Sequence, residues 1–167
     1  MKRMVIIMGV AGCGKTTVGE HLSEALDWRF LDGDSLHPAD NIEKMSKGTP
    51  LTDEDRWPWL GAVGSALQGS ETSIIIGCSS LKRIYRDEIR KTAQGPVSFV
   101  HLAGSKELIA LRMQERAGHF MPLSLLESQF AALETPGNDE NTVTVDIAKP
   151  LNEAIADLVN HFGKEEK

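Results

Sequence analysis

The residues with the clearest capacity for chemistry form a glycine-rich segment near the start of the chain. Residues Gly9–Thr16 match the pattern G-x-x-x-x-G-K-[ST] in full. Glycines let successive backbone N–H groups turn toward one anion, and the positive end of the following helix adds to the attraction. The pattern predicts that Lys15 reaches the β- and γ-phosphates of a nucleotide and that the Thr16 hydroxyl binds Mg²⁺. The predicted nucleotide site comprises Gly9, Val10, Ala11, Gly12, Cys13, Gly14, Lys15, Thr16 and Thr17.

A chance glycine-rich turn is the alternative to a nucleotide site. The segment, however, follows an apolar run and precedes a helical pattern, which is the setting that this motif requires. The nucleotide site is therefore the favoured interpretation.

Two carboxylates separated by one glycine, Asp32 and Asp34, follow the second apolar run. Phosphoryl transfer needs one group near the metal ion and another that orients or deprotonates the attacking hydroxyl. We assign Asp32 to the Mg²⁺ shell, through water, and Asp34 to catalysis at the acceptor hydroxyl. The alternative is a simple turn, since Asp and Gly are common turn residues. The third apolar run ends in Gly77 and not in an aspartate, so the metal depends on Asp32 for a carboxylate.

Cationic side chains in the middle of the chain are candidates for binding an anionic substrate. Lys82 lies in or near the first turn of a predicted helix, where the helix dipole disfavours a cation unless an anion binds beside it. Arg86 lies four residues further on, and Arg56 could clamp a carboxylate or balance its acidic neighbours. His37 and His119 are weaker candidates for substrate contacts, because each is equally well explained as an ordinary loop histidine.

Two arginines precede a glycine that is a credible hinge. Arg112 and Arg116 lie four residues apart, and Gly118 follows them. Arginines on a mobile lid can cover phosphates and neutralise charge in the transition state. We assign Arg112 to the nucleotide and Arg116 to catalysis; the alternative is surface pairing with Glu115 or exposure to solvent.

The overall composition narrows the class of protein. The chain has 167 residues and a net charge of −6, which argues against broad binding to nucleic acid or to anionic membranes. Its two cysteines lack metal-ligand spacing, so neither a disulfide framework nor a zinc site is expected. The first apolar run is too short to span a membrane, and no cleavage site follows it, so we expect a cytoplasmic protein.

The chemical groups need a scaffold, and the hydropathy pattern indicates an α/β fold with a mostly parallel sheet. Two stretches break the alternation of strands and helices: about 34–69, with two helical pieces, and about 117–136. Predicted strands occupy Met4–Met8, Phe30–Leu31, Ile74–Ile76, Val97–Leu102 and Thr142–Val145. Pro150 is predicted as the first residue of the last helix.

Several motifs together resemble the gluconokinase family of P-loop small-molecule kinases. Besides the glycine-rich loop, they are Phe30–Asp34, Leu36–Pro38, Asn41–Met45, Pro50–Leu51, Asp55–Arg56, Pro58–Leu60, Cys78–Lys82, Tyr85–Asp87, Gly118–Phe120 and Gln129–Phe130. The resemblance runs from the first strand to the last helix. It implies a three-layer P-loop fold like that of nucleoside monophosphate and shikimate kinases, in one domain over residues 1–167. This fold has a five-stranded parallel sheet, a helical substrate-binding segment at 34–69 and a lid at 117–136.

The same resemblance implies the reaction of ATP with D-gluconate to give ADP and 6-phospho-D-gluconate, with Mg²⁺, in gluconate catabolism. Family members are commonly dimers, so a homodimer is expected. The chain departs from the family at Cys13, where many relatives have serine, and at Met121–Pro122, which makes the lid stiffer.

Two other interpretations remain open. The first is the same chemistry on another acceptor, such as shikimate, a nucleoside monophosphate or another sugar acid. The second is a nucleotide-controlled switch without catalysis, which Asp32, Asp34 and the lid arginines disfavour because a switch needs no base for an acceptor hydroxyl.

Overall fold

The structure of the protein is a computed structural model. It describes the backbone of residues 2–115 and 123–165 and the side chains of residues 2–113 and 126–163. The predicted roles of Arg116 and His119 therefore lie outside the described residues.

Within the described residues, parallel strands form one five-stranded sheet in the order β2-β3-β1-β4-β5. Their bounds are β1 Met4–Met8, β2 Arg29–Asp32, β3 Ile74–Gly77, β4 Ser98–Ala103 and β5 Thr142–Asp146. All five predicted strands are confirmed, with β4 displaced by one residue from its predicted bounds. The central strand β1 pairs with β3 and with β4, and all five of its residues are buried. This explains why β1 is a continuous apolar run and not an alternating one.

The α-helices follow the strands as the hydropathy pattern predicts. They are α1 Lys15–Leu26, α2 Ala39–Ser46, α3 Asp53–Gly69, α4 Arg83–Ala93, α5 Lys106–Glu115, α6 Leu123–Ala132 and α7 Leu151–Glu165. Short 3₁₀ helices occupy Gly33–Leu36 and Asn138–Glu140. Pro150 precedes α7 instead of opening it, and its carbonyl accepts a hydrogen bond from Ala154 N at 3.0 Å.

Hydrophobic cores lie on both faces of the sheet, because alternate residues of β1 point to opposite sides. Val5 and Ile7 join a cluster that includes buried residues of α1, α5 and α7. Ile6 and Met8 join a second cluster with buried residues of α3 and α4. The resulting three layers, helices–sheet–helices, confirm the predicted fold class.

All strands run in the same direction, so their carboxyl ends meet at one edge of the sheet, where open α/β folds place ligands. The glycine-rich loop follows β1 at this edge, Gly33 follows β2, and the loop of residues 78–82 follows β3. The fold therefore brings together the segments that carry most of the predicted site residues. Over the described part of the chain, every helix is too short or too polar to cross a membrane.

Candidate active site

The glycine-rich loop has the backbone conformation that its sequence predicts. Gly9, with φ 149°, passes so close to its surroundings that a β-carbon there would lie 2.7 Å from Cys13 Sγ and 3.0 Å from the Leu102 carbonyl. Gly14, with φ 99°, is the N-cap of α1, and the first turn of α1 holds no acidic residue. The positive end of this helix is therefore not neutralised from within the turn and can bind an anion.

Side chains at the loop are arranged for contact with phosphate. Lys15 Nζ donates to the carbonyl oxygens of Gly9 and Val10, each at 3.1 Å, so the ammonium lies against the loop. Thr16 and Thr17 are exposed in the first turn of α1. The structure thus places the predicted phosphate and metal ligands of this segment together at one helix terminus.

Two neighbouring segments fix the position of the loop. The Ala11 amide donates to Gln129 Oε1 of α6 at 2.6 Å, and the Gly9 amide donates to the Ser79 carbonyl at 3.3 Å. The loop is therefore tied both to the helix after residue 122 and to the loop that follows β3.

The segment of the two aspartates is shaped by a close approach of β2 to β3. A β-carbon on Gly33 would lie 2.3 Å from the Gly77 carbonyl, so only glycine fits between Asp32 and Asp34. Asp32 caps the following 3₁₀ helix, since its Oδ1 accepts from the Asp34 amide at 3.0 Å. Both carboxylates belong to exposed residues at the carboxyl edge of the sheet, where they can reach ligands.

His37 follows the 3₁₀ helix and is held by two contacts. Its ring stacks on Trp59, with ring centroids 4.0 Å apart and planes 15° apart, and its Nδ1 lies 3.2 Å from Asn41 Nδ2. The Trp59 indole N–H donates to the Gly33 carbonyl at 2.9 Å. Trp59 therefore packs the substrate-side helix α3 against the Asp32–Asp34 segment and against His37 at once.

The charge of Asp34 acts on two neighbouring groups of the site, His37 and Cys78. Burial lowers the pKa of His37, the Asp34 charge opposes this effect, and the Arg56 charge adds to it. Burial raises the pKa of Cys78 to about 12, and Lys15 and Asp34 act on that thiol with opposite signs. Asp34 is thus close enough to influence both groups, and the lowered pKa of His37 favours the neutral imidazole at neutral pH.

Two of the predicted substrate-binding cations meet around one carboxylate in what we call the Asp53 cluster: Asp53, Arg56, Lys82 and Tyr85. The Tyr85 hydroxyl and Lys82 Nζ both donate to Asp53 Oδ1, the latter at 3.4 Å. Arg56 Nη1 donates to the Tyr85 hydroxyl at 3.2 Å and lies 3.9 Å from Asp53 Oδ1. The side chains of Arg56, Lys82 and Asp53 are about one-third exposed, at 29%, 33% and 35%. A solute can therefore reach the cluster.

Arg86 was predicted to bind substrate with these cations, but the structure does not bring it to them. Its side chain is fully buried, and it forms an ion pair with Glu140 in which Nε lies 2.7 Å from Oε1. Nη1 donates to the carbonyls of Ser80 and Leu81 at 2.9 and 3.0 Å. Nη2 donates to the Glu134 carbonyl and to Glu140 Oε2, at 2.9 and 3.2 Å. Because all five guanidinium N–H groups are used within the protein, Arg86 is a structural residue here.

Arg112 is predicted to bind the nucleotide, and the structure shows one contact of its side chain. Arg112 lies in the last turn of α5, and its Nη2 donates to the Ile147 carbonyl just after β5 at 2.6 Å. This contact fixes one end of the guanidinium to the sheet edge. A role for Arg112 at the nucleotide stays a prediction.

Three residues of the site had no role assigned from sequence, although Tyr85 and Gln129 belong to motifs that carry the family resemblance. Asp53 had no assigned role, because an acid in the first turn of a helix suggests only a favourable interaction with the helix dipole. Tyr85 is the single tyrosine of the chain and lies in the first turn of α4, three residues after the N-cap Lys82; both side chains contact Asp53. Gln129 is a polar residue between apolar positions of α6, and that break in the apolar pattern was the available signal.

The described chain thus has the fold and the site of a P-loop kinase that acts on a small molecule. Comparison with known proteins agrees: the family described as an AAA domain matches residues 4–136. A gluconokinase of Gluconobacter oxydans (strain 621H) is 45% identical over 98% of this chain and 93% of its own length. The crystal structure of a gluconokinase from Sinorhizobium meliloti 1021 matches with a TM-score of 0.86 and 46% identity, covering 99% of this chain and 98% of that chain.

The chain belongs to the gluconokinase family. A shikimate kinase from Aquifex aeolicus vf5, at 15% identity and a TM-score of 0.62 over 98% of both chains, shares the fold alone. The predicted family and fold class are both confirmed.

Proposed function

We propose that the protein transfers the γ-phosphoryl group of ATP to the 6-hydroxyl group of D-gluconate, giving ADP and 6-phospho-D-gluconate. One observation carries the proposal: the carboxyl edge of the sheet brings together the anion-binding loop around Lys15, the exposed Asp34 after β2 and the Asp53 cluster, which has two cations for one carboxylate. This arrangement suits an anionic acceptor whose hydroxyl end approaches the nucleotide. Relatives of nearly the same length are themselves gluconokinases.

The phosphate side of the reaction depends on preorganised charge. The backbone amides of the loop and the amino end of α1 bind the β- and γ-phosphates, and Lys15 leaves the loop carbonyls to contact them. Arg112 and Arg116 add positive charge over the transferred group. Since the transition state spreads charge over the phosphoryl oxygens, fixed donors stabilise it more than they stabilise the bound substrate.

Mg²⁺ fits the residues at the loop. No group of three or more His, Cys, Asp or Glu side chains that could hold a metal ion occurs among the described residues. Mg²⁺ keeps several waters and binds through nucleotide phosphates and one or two protein oxygens, and Thr16 and Asp32 are exposed at this edge of the sheet. The Thr16 hydroxyl would bind it directly and Asp32 through water; the ion would neutralise charge on the phosphates.

Asp34 and the acceptor side supply orientation and proton transfer. The Asp34 carboxylate accepts the proton of the 6-hydroxyl as the oxygen attacks the γ-phosphorus, so the attacking group is aligned and activated. Arg56 and Lys82 hold the carboxylate of gluconate, and His37, fixed on Trp59, offers its ring to the sugar hydroxyls. His119 is assigned a further polar contact with the acceptor. The homodimer implied by the resemblance stays a prediction.

A coupled ADP-release assay with ATP and Mg²⁺ across a panel of acceptors tests the function. We expect strong ADP release with gluconate and little with shikimate, a nucleoside monophosphate or other sugar acids. Strong release with one of those alone would reassign the acceptor. ATP binding without any acceptor-dependent release would instead favour a nucleotide switch.

Asp34→Asn tests the assignment of the proton acceptor. It keeps the size of the side chain but removes its basicity, so we expect turnover to fall by about 10²–10⁴-fold while ATP affinity stays nearly constant. Asp40→Asn, at an exposed position in the first turn of α2, is the control and should leave both quantities unchanged. An equal loss of turnover and ATP affinity in Asp34→Asn would count against this role.

A further inference from the structure

The centre of the Asp53 cluster is a carboxylate that belongs to the protein itself. The Tyr85 hydroxyl and Lys82 Nζ donate to Asp53 Oδ1, and Arg56 Nη1 lies 3.9 Å from the same oxygen. Two of them, Arg56 and Lys82, are the donors that the proposed function gives to the acceptor's carboxylate. Asp53 therefore places a carboxylate, the same functional group as in the proposed ligand, beside the groups that would bind that ligand.

The charges of the cluster do not balance. Arg56 and Lys82 carry two positive charges, and Asp53 carries one negative charge. Burial, followed by the hydrogen bond to Asp53, raises the pKa of Tyr85, so the phenol is neutral. The nearby Asp55 is paired with Lys44 at 2.7 Å and does not supply the missing charge. One positive charge in the cluster is left for a ligand, which matches a monocarboxylate.

Donor groups also remain for a second carboxylate. Arg56 uses Nη1 for the Leu51 carbonyl at 2.8 Å and for Tyr85, whereas its Nε and Nη2 have no hydrogen-bond acceptor among the described residues. An arginine edge with two parallel N–H groups is the geometry that binds a carboxylate bidentately. The contact of Lys82 with Asp53 is long, at 3.4 Å, so its ammonium can also serve a ligand.

We propose that Asp53 is a specificity-determining residue that competes with the acceptor's carboxylate for Arg56 and Lys82. The inference rests on the proposed function, since it takes the acceptor to be a sugar acid. Without a ligand, Asp53 holds the two cations together against their mutual repulsion. With a ligand, two carboxylates share these donors, and their repulsion weakens binding of an anion but not of a neutral polyol. Asp53 thereby sets how strongly the site prefers an anionic acceptor.

Asp53→Asn separates the charge from the shape. Asparagine keeps an oxygen that can accept from Tyr85, but it removes the negative charge beside the bound carboxylate. We expect the KM and the dissociation constant of gluconate to fall by about fivefold, whereas the dissociation constant of glucitol, a neutral six-carbon polyol, stays the same. The ADP-release assay gives KM, and isothermal titration calorimetry with each compound gives binding independently of turnover.

Two further variants complete the test. Glu54→Gln removes one charge from the adjacent, exposed position of α3 and should change neither constant. Asp53→Glu keeps the charge and should leave the gluconate KM at or above that of the unchanged protein. Weaker gluconate binding in Asp53→Asn, or an equal change for gluconate and glucitol, would overturn the inference. Failure of the proposed function would give a different result. The protein without substitutions would then neither bind gluconate nor release ADP in its presence, and the inference would be wrong as well.

Discussion

Two charged clusters beside α4 differ in how completely their groups are paired. The Glu140 cluster, Arg86, Arg90 and Glu140, is built around a side chain of Glu140 that is 1% exposed and accepts from both arginines at 2.7–2.8 Å. In the Asp53 cluster the corresponding contacts of Lys82 and Arg56 are 3.4 and 3.9 Å, at about one-third exposure. Two cations and one carboxylate therefore form a closely paired, buried network at one place (the closed cluster) and a loosely paired, partly exposed one at the other (the open cluster).

This difference indicates which cations stabilise the fold and which are available to bind a ligand. Arg86 fixes the carbonyls of Ser80 and Leu81, and Ser80 has a left-handed backbone with φ 38° that is costly for a residue other than glycine. The same loop touches the phosphate loop, through Ser79, and ends at Lys82. The closed cluster thus positions the backbone from which the open cluster extends toward solvent.

The largest expected effect comes from breaking the closed cluster. Arg86→Ala leaves the buried Glu140 carboxylate with one close arginine, Arg90, and the long 3.9 Å contact to Arg83, and we expect the free energy of unfolding to fall by about 3–5 kcal/mol. Urea unfolding followed by circular dichroism measures it.

Arg83→Ala is the matched control on the same helix. Its pair with Asp139 is exposed, at 47% and 65%, and its contact with Glu140 is long, at 3.9 Å, so its loss should destabilise the protein much less than Arg86→Ala does. If Arg86→Ala and Arg83→Ala lower the free energy of unfolding by the same amount, the difference in burial between the two arginines does not affect stability.

The stability of the protein at acid pH should depend on the Glu140 cluster. Burial alone would raise the pKa of Glu140, but hydrogen bonds from Arg86 and Arg90 outweigh it and bring the pKa to about 2, from 4.5. Because the pKa of Glu140 is lower in the folded protein than in the unfolded one, the ionised carboxylate stabilises the fold above pH 4.5. This stabilisation is lost as the pH falls toward 2. This contribution is on the order of 3 kcal/mol.

Glu140→Gln isolates this contribution, because all other carboxylates stay in place. The difference in free energy of unfolding between the two proteins should be largest near neutral pH and should shrink between pH 4.5 and 2. Urea unfolding over this pH range measures it. Parallel pH curves for the two proteins would show that Glu140 does not titrate differently on folding.

Much of the fold could be predicted because its signals are local. The apolar run Met4–Met8, the glycine-rich loop and the helical pattern after Lys15 are each contained in a few adjacent residues. The start of α7 was misplaced by one residue, since proline fits both the first helical position and the position before it.

The site was only partly predictable, because its decisive contacts are far apart in sequence. Lys82 and Arg86 lie four residues apart and look alike from sequence, yet Lys82 is the N-cap of α4, whereas Arg86 lies inside the helix and is buried against Glu140, 54 residues further on. Asp53 contacts Tyr85 across 32 residues. A spacing rule within a helix cannot show which cation a distant carboxylate buries, so the structural role of Arg86 became clear only from the packing.

The smallest of these effects should come from the open cluster and should appear in binding, not in stability. In Lys82→Ala we expect the KM for gluconate to rise about tenfold, which corresponds to about 1.4 kcal/mol, because one of the two cations that hold the acceptor's carboxylate is lost. The free energy of unfolding should change by only about 0.5 kcal/mol, since the side chain is 33% exposed and its contact with Asp53 is long. Lys91→Ala, at an exposed position of α4, the helix that Lys82 caps, is the control for a lost charge and should leave the KM unchanged. An unaltered KM in Lys82→Ala would remove Lys82 from the acceptor site, and a large loss of stability would place it with Arg86 among the structural cations.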